Sequence, residues 1–184
     1  PDGPSSANPP SVADAGYLRF LSAFTSQLSP LEQQLFKAAH GPAQAPHAQV
    51  LALLAQQPEF TTTFADYQGK RLSATRRSRG QALLAEEATL LAATSRRTGV
   101  PATVIVALWW LESNYGQNKG GINVIHALST LAYNSHRATF YRQELAAAVK
   151  ILAGGHVAPQ AFKGSWAGAL GQCQFMPSNF LKLA

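Results

Sequence analysis

The sequence predicts a mostly α-helical domain, and three observations lead to this prediction. The chain has 184 residues, which is about the length of one domain with a sizeable hydrophobic core. Hydrophobic residues make up 46% of it and charged residues only 13%, a composition that argues against general disorder. Alanine and leucine recur at helical spacing through most segments, so we expect helices rather than strands.

The N-terminal half is predicted to contain a short leader followed by helices. Residues 1–10 are rich in proline and serine, a composition typical of a flexible segment that does not pack. The domain is therefore expected to span residues 11–184. Apolar residues at helical spacing predict helices within 17–28, 31–39, 50–55 and 72–98, and Ser-Pro, Gly-Pro and Gln-Pro pairs interrupt the first three. The segment 59–67 is expected to be a loop or a short helix.

The longest of these helices, 72–98, has an apolar and a basic side. Its inner stripe is predicted to consist of Leu83, Leu84, Leu90 and Leu91, with the arginines at 76, 77 and 79 outside. A basic cluster on a helix suggests nucleic acid, but no aromatic residues are interleaved with this one. We therefore interpret it as a solvated face and expect no nucleic-acid partner.

The C-terminal half, residues 99–184, is organised around one helix. Pro101 is predicted to open it, because proline at the first helical position loses only an N–H that would have no partner. Gly116 is predicted to close it in a left-handed conformation. Further helices are predicted over 124–133 and 138–152, and another from Pro177 onward.

Glu112 is the unusual residue of the helix that Pro101 opens. It is placed on the same face as the aliphatic residues Ile105, Leu108 and Leu111, so we expect its carboxylate to share a buried surface. Burial beside two neighbouring tryptophans would raise its pKa and make it a general acid near neutral pH. The alternative is a surface glutamate on the last turn that pairs with a nearby lysine or arginine.

Composition limits the possible cofactors and partners. The formal net charge of +6 weakly favours anionic partners, such as nucleic acid, an acidic membrane surface or an acidic cell-wall polymer. The single cysteine, Cys173, excludes a disulfide within the chain. The histidines lack ligand-like spacing, so we expect no metal site. No segment approaches the roughly 20 apolar residues that span a membrane, and the first residues show no export-signal pattern.

Two motifs in this half carry a family resemblance. Glu112-Ser113 is followed by Gly-Ala-Leu-Gly-Gln-Cys-Gln-Phe-Met-Pro-Ser over residues 168–178, and together they resemble the lytic murein transglycosylase B family, glycoside hydrolase family 103. Further segments resemble the same family in the same order, namely 57–60, 79–85, 99–101, 127–133 and 164–168. The resemblance covers nearly everything from Val50 onward. The run ending in Gln-Phe-Met-Pro is specific, whereas Glu-Ser is shared by many lysozyme-like enzymes.

The resemblance implies a lysozyme-like helical fold and a peptidoglycan lytic transglycosylase, an enzyme that cleaves the β-1,4 bond between N-acetylmuramic acid (MurNAc) and N-acetylglucosamine (GlcNAc). Residues 11–98 would form an N-terminal helical part and residues 99–184 the catalytic core. Glu112 would act as a single acid and base, giving a 1,6-anhydromuramic acid end. Ordinary glycosidases need two carboxylates roughly 5 to 9.5 Å apart, whereas after Glu112 the chain has only one further acidic residue, Glu144.

Four more residues are implied as substrate-binding by their match to the family. Ser165 corresponds to a serine near the catalytic glutamate, and Gln174 to a glutamine that contacts the bound sugar. Tyr67 and Arg137 correspond to residues lining the glycan groove, as a ring that contacts sugar and as a cation for muramoyl or peptide carboxylates. Each has an alternative: Ser165 caps a turn, Gln174 is a buried amide bonded to backbone, Tyr67 packs in the core, and Arg137 starts a surface helix.

Other expectations follow from the same resemblance. Cys173 is expected to be a buried, inert thiol, and Phe175 and Met176 are expected in the core. Relatives continue well past residue 178, so the catalytic core is expected to be incomplete here, truncated at the C-terminus. We expect no cofactor, since a calcium-binding loop of some members would lie in that further portion.

The expected partner is the glycan strand of peptidoglycan, in the periplasm or cell envelope, with a monomeric protein and possible cell-wall enzyme complexes. Two other readings stay open, a non-catalytic peptidoglycan-binding or scaffolding fragment and a muramidase that uses water.

Overall fold

The structure, a computed structural model, describes residues 13–56 and 73–183. Within these ranges it is mostly helical, which confirms the predicted fold class. The α-helices are α1 Ala15–Thr25, α2 Pro30–His40, α3 Ala48–Ala55, α4 Ala74–Glu86, α5 Ala88–Thr98, α6 Ala102–Ser113, α7 Val124–Asn134, α8 Ala138–Ala153 and α9 Pro177–Leu183. The strands β1 Ile122–Asn123 and β2 Lys163–Gly164 form an antiparallel pair, and Pro159–Ala161 is a short 3-10 helix.

The chain forms two units, and each is discontinuous in sequence. Unit 1 contains residues 13–55, 120–169 and 175–183 of the described chain, and unit 2 contains residues 56, 73–119 and 170–174. Residues 99–184 therefore contribute to both units.

The core of unit 1 lies between α7 and α8. Helix α7 packs along α8, and α2 and α9 also contact α8. Residues of α7 and α8 with fully buried side chains are Val124, Ile125, Leu128, Leu131, Leu145 and Val149. They recur at helical spacing on each helix, so burial of these apolar faces is the main source of stability here.

Helix starts in unit 1 follow local sequence signals. Ser29 caps α2 in a capping box: its hydroxyl accepts from the Glu32 N–H, and the Glu32 carboxylate accepts from the Ser29 N–H at 2.9 Å. Pro30 occupies the first turn, where its missing N–H costs nothing. The predicted helices 31–39, 50–55, 124–133 and 138–152 are confirmed within one or two residues at each end.

Glu144 is a buried carboxylate with a structural role in unit 1. Its side chain is only 3% exposed. One oxygen accepts from the Ser178 N–H at 2.9 Å and the other from the Ser178 hydroxyl at 2.7 Å. The carboxylate thus caps the first turn of α9, where N–H groups lack helical partners.

Unit 2 is built on α4, α5 and α6. Leu83, Leu91 and Val106 form its buried cluster. The prediction of a single helix over 72–98 is wrong, because the structure has two helices there, separated at Glu87. The backbone of Glu87 leaves helical geometry, with φ −103 and ψ 18. Leu90, predicted on the inner stripe, is 63% exposed as a result.

Helix α6 starts and ends slightly inside the predicted limits. It begins at Ala102, directly after Pro101, and ends at Ser113. Asn114 adopts the left-handed conformation that terminates it, with φ 50. Gly116, predicted to end the helix, follows two residues later with φ 82.

The buried face of α6 differs from the prediction. Val106 and Ser113 are buried, and Ala102, Ile105 and Trp109 pack against the unit 2 cluster. Leu108 and Leu111 are 52% and 42% exposed, and Glu112 is exposed with them. The expectation that Glu112 shares a buried aliphatic face is therefore wrong, because α4 and α5 cover the opposite side of the helix.

Candidate active site

Glu112 lies on the last turn of α6 and lines a pocket of about 320 Å³ in unit 2. The residues that line this pocket are Arg76, Trp110, Leu111, Glu112, Ser113, Asn114 and Asn118. The Glu112 carboxylate accepts no hydrogen bond and forms no ion pair within the described chain. The alternative interpretation was a surface glutamate on the last turn that pairs with a lysine or arginine. Glu112 is exposed on that turn, as this alternative expects, but it forms no such ion pair within the described residues.

The turn after Glu112 is fixed by hydrogen bonds to Ser113. The Ser113 hydroxyl accepts from the Gly116 N–H at 3.0 Å, and its carbonyl accepts from the Asn118 N–H at 2.8 Å. Asn114 and Tyr115 both have positive φ, 50 and 57. Such backbone is rare for residues with a side chain and persists only where the surroundings determine it.

Tyr115 ties this turn to α4. Its hydroxyl donates to the Arg76 carbonyl at 3.0 Å, and its ring meets that of Trp109 edge-on at 6.0 Å between centroids. Burial raises the pKa of Tyr115 above its usual value, which keeps the hydroxyl a donor. Helix α4 thereby brings Arg76 to the pocket that contains Glu112.

The segment 170–174, which contains Gln174, belongs to the same unit but does not line the pocket. The Gln174 backbone also has positive φ, 49. Its side-chain amide nitrogen donates to the Gly171 carbonyl at 2.9 Å and to the Lys119 carbonyl at 3.4 Å. These contacts match the backbone bonding of the alternative given for Gln174, but the residue is only half-buried, and its Oε1 is left without a donor among the described residues.

Gln172, which the sequence did not single out, joins segment 170–174 to α6 without lining the pocket. Its Oε1 accepts from the indole N–H of Trp109 on α6 at 2.7 Å. The residue lies inside the Gly-Gln-Cys-Gln motif, but nothing local indicates that its partner is 63 positions away. Arg76, Trp110 and Asn118 were likewise not predicted to line one pocket with Glu112.

Most other carboxylates in the described chain have structural partners. Asp14 caps α1, and Glu32 closes the capping box of α2. Glu86 pairs with Arg79 at 2.9 Å on the surface, and Glu144 caps α9. Of the remaining two, Glu87 and Glu112, only Glu112 lines the pocket.

Ser165 belongs to unit 1 and closes a tight turn after β2. Its hydroxyl accepts from the Ala169 N–H at 2.9 Å, and its own N–H donates to the Ala169 carbonyl at 2.9 Å. Gly168 has φ 87 in this turn and lies so close to Leu128 that a Cβ would overlap it. The structure therefore shows the turn-capping role given as the alternative, with the hydroxyl proton still able to donate.

The two remaining predicted residues are placed elsewhere. Arg137 belongs to unit 1, where it precedes α8, is exposed, and lies over the Phe140 ring at 4.4 Å from its centroid. Tyr67 lies outside the described residues. The structure thus brings Glu112 and Gln174 into one unit and Ser165 and Arg137 into the other.

Two expectations about burial near the motif are wrong. Cys173 is exposed rather than buried, and Phe175 is exposed as well. No group of three or more histidine, cysteine or acidic side chains in the described ranges is arranged to hold a metal ion. Among the described helices, none is long and apolar enough to cross a membrane.

The helical fold and its pocket carboxylate define a lysozyme-like domain, and comparisons with known proteins give the family. Residues 21–184 match the profile of the transglycosylase SLT domain, so the chain belongs to that family. It is also 36% identical to the membrane-bound lytic murein transglycosylase B of Escherichia coli (strain K12) over 87 aligned residues. This aligned region covers 47% of this chain and 24% of that protein.

Solved structures of lytic transglycosylases have the same fold. SltB3 from Pseudomonas aeruginosa in complex with NAG-NAM-pentapeptide gives a TM-score of 0.83 at 36% identity, over 93% of this chain and 46% of that one. Its complex with NAG-anhNAM-pentapeptide gives 0.82 at 36% identity, with the same 93% and 46% coverage. SltB1 from the same organism gives 0.76 at 31% identity, over 91% of this chain and 56% of that one. The chain spans about half the length of these structures.

Proposed function

We propose that this chain is part of a lytic transglycosylase that cleaves the β-1,4 bond between MurNAc and GlcNAc in peptidoglycan and leaves a 1,6-anhydromuramic acid end. One observation carries the proposal: Glu112 lines the unit 2 pocket with a carboxylate that has no partner in the described chain. A carboxyl group without such a partner is available to give a proton to a bound substrate and then to take one back.

The proposed reaction needs only this one carboxyl group. Protonated Glu112 donates its proton to the glycosidic oxygen as the bond from C1 to that oxygen breaks. The resulting carboxylate then accepts the proton of the C6 hydroxyl while O6 bonds to C1. No water is consumed, and the glutamate ends in its starting state. Because the nucleophile belongs to the same sugar, proximity replaces the second carboxylate of ordinary glycosidases.

Glu144 is unsuited to serve as a second catalytic carboxylate. Glu144, the only acidic residue after Glu112 in the chain, is buried and fully used by Ser178. A carboxylate that accepts two hydrogen bonds inside unit 1 and is closed to solvent is poorly suited to activate water. Glu144 is therefore not the second carboxylate that a muramidase using water would need, and the mass of the products distinguishes the two reactions.

The similarity to SltB3 supports the substrate. That protein, 36% identical to this chain, was crystallised with NAG-NAM-pentapeptide and with NAG-anhNAM-pentapeptide. We infer that this chain likewise binds a glycan of the same two sugars with a peptide attached, and that the anhydro form is its product. Such a substrate places the protein in the cell envelope, where it acts on glycan strands.

Gln174 would recognise a donor group of the sugar. Because both hydrogens of its amide are given to the carbonyls of Gly171 and Lys119, only Oε1 is left for a ligand. That oxygen can accept from a sugar hydroxyl or from the N–H of an acetamido group. Ser165, Arg137 and Tyr67 keep their proposed substrate-binding roles, Ser165 as a hydroxyl donor and Arg137 as a cation for carboxylates.

The test is digestion of purified murein by the protein and its Glu112→Gln variant, with products identified by mass spectrometry. Gln keeps the shape of the side chain but has no titratable proton, so we expect the release of anhydromuropeptides to fall roughly 10²- to 10⁴-fold. Glu87→Gln is the matched control, since it removes an exposed carboxylate of unit 2 outside the pocket. It should release as much product as the parent.

Three results would overturn parts of the proposal. Equal product from Glu112→Gln would remove the role of Glu112. Products heavier by one water, about 18 Da, would indicate hydrolysis and a muramidase. Pelleting with murein without any new glycan ends would indicate a binding or scaffolding protein.

A further inference from the structure

Segment 170–174 is joined to helix α6 by one short side-chain hydrogen bond within unit 2. The indole N–H of Trp109 donates to Oε1 of Gln172 at 2.7 Å. Trp109 also packs on the buried cluster of the unit, so its ring is a fixed reference point. Gln172 is exposed, so burial contributes little to fixing its side chain, and the hydrogen bond to Trp109 is its polar anchor.

Gly116 provides a second surface against the Gln172 side chain. A Cβ on Gly116 would lie 2.7 Å from Oε1 and 2.8 Å from Cδ of Gln172, so any larger residue would displace the carboxamide. Gly116 also has φ 82, a conformation that side-chain residues rarely adopt. The carboxamide therefore lies against Gly116 with its oxygen on the Trp109 indole.

The backbone that this contact joins is strained on both sides. In the described parts of the chain, the non-glycine residues with positive φ are Asn114, Tyr115 and Gln174. The first two follow α6, and the third lies two residues after Gln172. Left-handed backbone at non-glycine positions persists only where neighbouring contacts hold it, and it concentrates at ligand-binding and catalytic sites.

We propose that Gln172 is a positioning residue: through its hydrogen bond to Trp109 it holds Gln174 in left-handed backbone and directs the free Oε1 of Gln174 at the substrate. Without the anchor, segment 170–174 relaxes toward ordinary backbone, and the Gln174 amide leaves the carbonyls of Gly171 and Lys119. The inference rests on the proposed function for the identity of the ligand, whereas the anchoring itself does not depend on it.

The first test is binding, measured in the catalytically inactive Glu112→Gln background so that cleavage does not interfere. The ligand is a GlcNAc-MurNAc-peptide fragment, titrated by calorimetry. Gln172→Met removes the acceptor at nearly constant length, and we expect on the order of tenfold weaker binding. Gln172→Glu keeps an oxygen that accepts from the indole, and it should restore binding to within about threefold of the parent.

Trp109→Phe separates positioning from a local effect at residue 172. It removes the donor, and its effect should not add to that of Gln172→Met, because both variants break the same hydrogen bond. Additive losses, or parent-like binding by Gln172→Met, would overturn the proposal. Thermal unfolding of each variant identifies a loss that comes from misfolding.

The second test does not need the ligand and therefore distinguishes failure of the inference from failure of the proposed function. In NMR spectra of the protein without ligand, Gln172→Met should shift the side-chain amide signals of Gln174, and Gln172→Glu should leave them near the parent values. If the Gln174 signals are unchanged in Gln172→Met, Gln172 does not position Gln174, whether or not the protein binds the glycan fragment. Shifted signals with no fragment binding by the Glu112→Gln parent would instead refute the proposed ligand.

Discussion

Unit 1 contains a group of histidines whose burial makes its stability dependent on pH. The rings of His40 and His126 lie 4.9 Å apart between centroids, and those of His47 and His126 lie 5.0 Å apart. Burial lowers the pKa of all three, and for His126 it lowers the pKa to about 4. A hydrogen bond to the Ala45 carbonyl opposes this decrease for His126, while repulsion from His40 and His47 adds to it.

The size of the effect follows from proton linkage. An unfolded histidine has the ordinary pKa of 6.5, so the difference from about 4 in the folded state is about 2.5 pH units. Each unit corresponds to about 1.4 kcal/mol, which gives on the order of 3 kcal/mol in total. Above pH 6.5 neither state binds the proton and nothing is lost. As pH falls from 6.5 to about 4 the unfolded state binds it first, and His126 alone should cost about 2 kcal/mol at pH 5.

The assay is urea unfolding of the protein and of His126→Gln at pH 7 and pH 5. Gln removes the titration and keeps an N–H donor in reach of the Ala45 carbonyl. We expect the drop in unfolding free energy between the two pH values to be about 2 kcal/mol smaller in the variant. His136→Gln is the matched control, because His136 is exposed and the variant should show the same drop as the parent. An equal drop in His126→Gln and the parent would refute the reasoning.

Three further substitutions test the contacts that hold unit 1, all by denaturant unfolding at pH 7. Ser178→Ala removes the hydroxyl donor from the buried Glu144 carboxylate and should cost about 1 to 3 kcal/mol, with Ser178→Thr as the conservative control. Leu128→Ala empties a fully buried position between α7 and its neighbours and should cost about 2 to 5 kcal/mol; a loss under 1 kcal/mol would contradict the core assignment. Ser29→Ala opens the capping box with Glu32 and should cost about 1 kcal/mol, whereas Ser29→Asp should cost little.

Helix positions could be predicted from the sequence where local chemistry fixes them. Ser29 and Pro30 mark the start of α2, and apolar residues three or four positions apart mark α7 and α8, because caps and helical periodicity involve only such near neighbours. The break at Glu87 could not be predicted, since neither glycine nor proline occurs there and the residues on both sides favour helix. It depends on packing of α4 and α5 against α6.

The candidate site, too, could be predicted from the sequence only in part. The sequence identified Glu112 and Gln174 through the family motif, and the structure places both in unit 2. The sequence indicated the wrong environment for Glu112, however, because the helix is apolar almost all round and its periodicity could not tell which side α4 and α5 would cover.

By itself the sequence determined the helical fold class, the family, and a glutamate near the end of one helix as the candidate acid and base. Only the tertiary structure decided that Glu144 caps α9, that Arg76 lines a pocket with Glu112, and that the Gln172 carboxamide accepts from Trp109. The physical reason is range: caps and periodicity act over one or two helical turns, whereas these contacts join residues 34 to 63 positions apart and depend on how the whole chain packs.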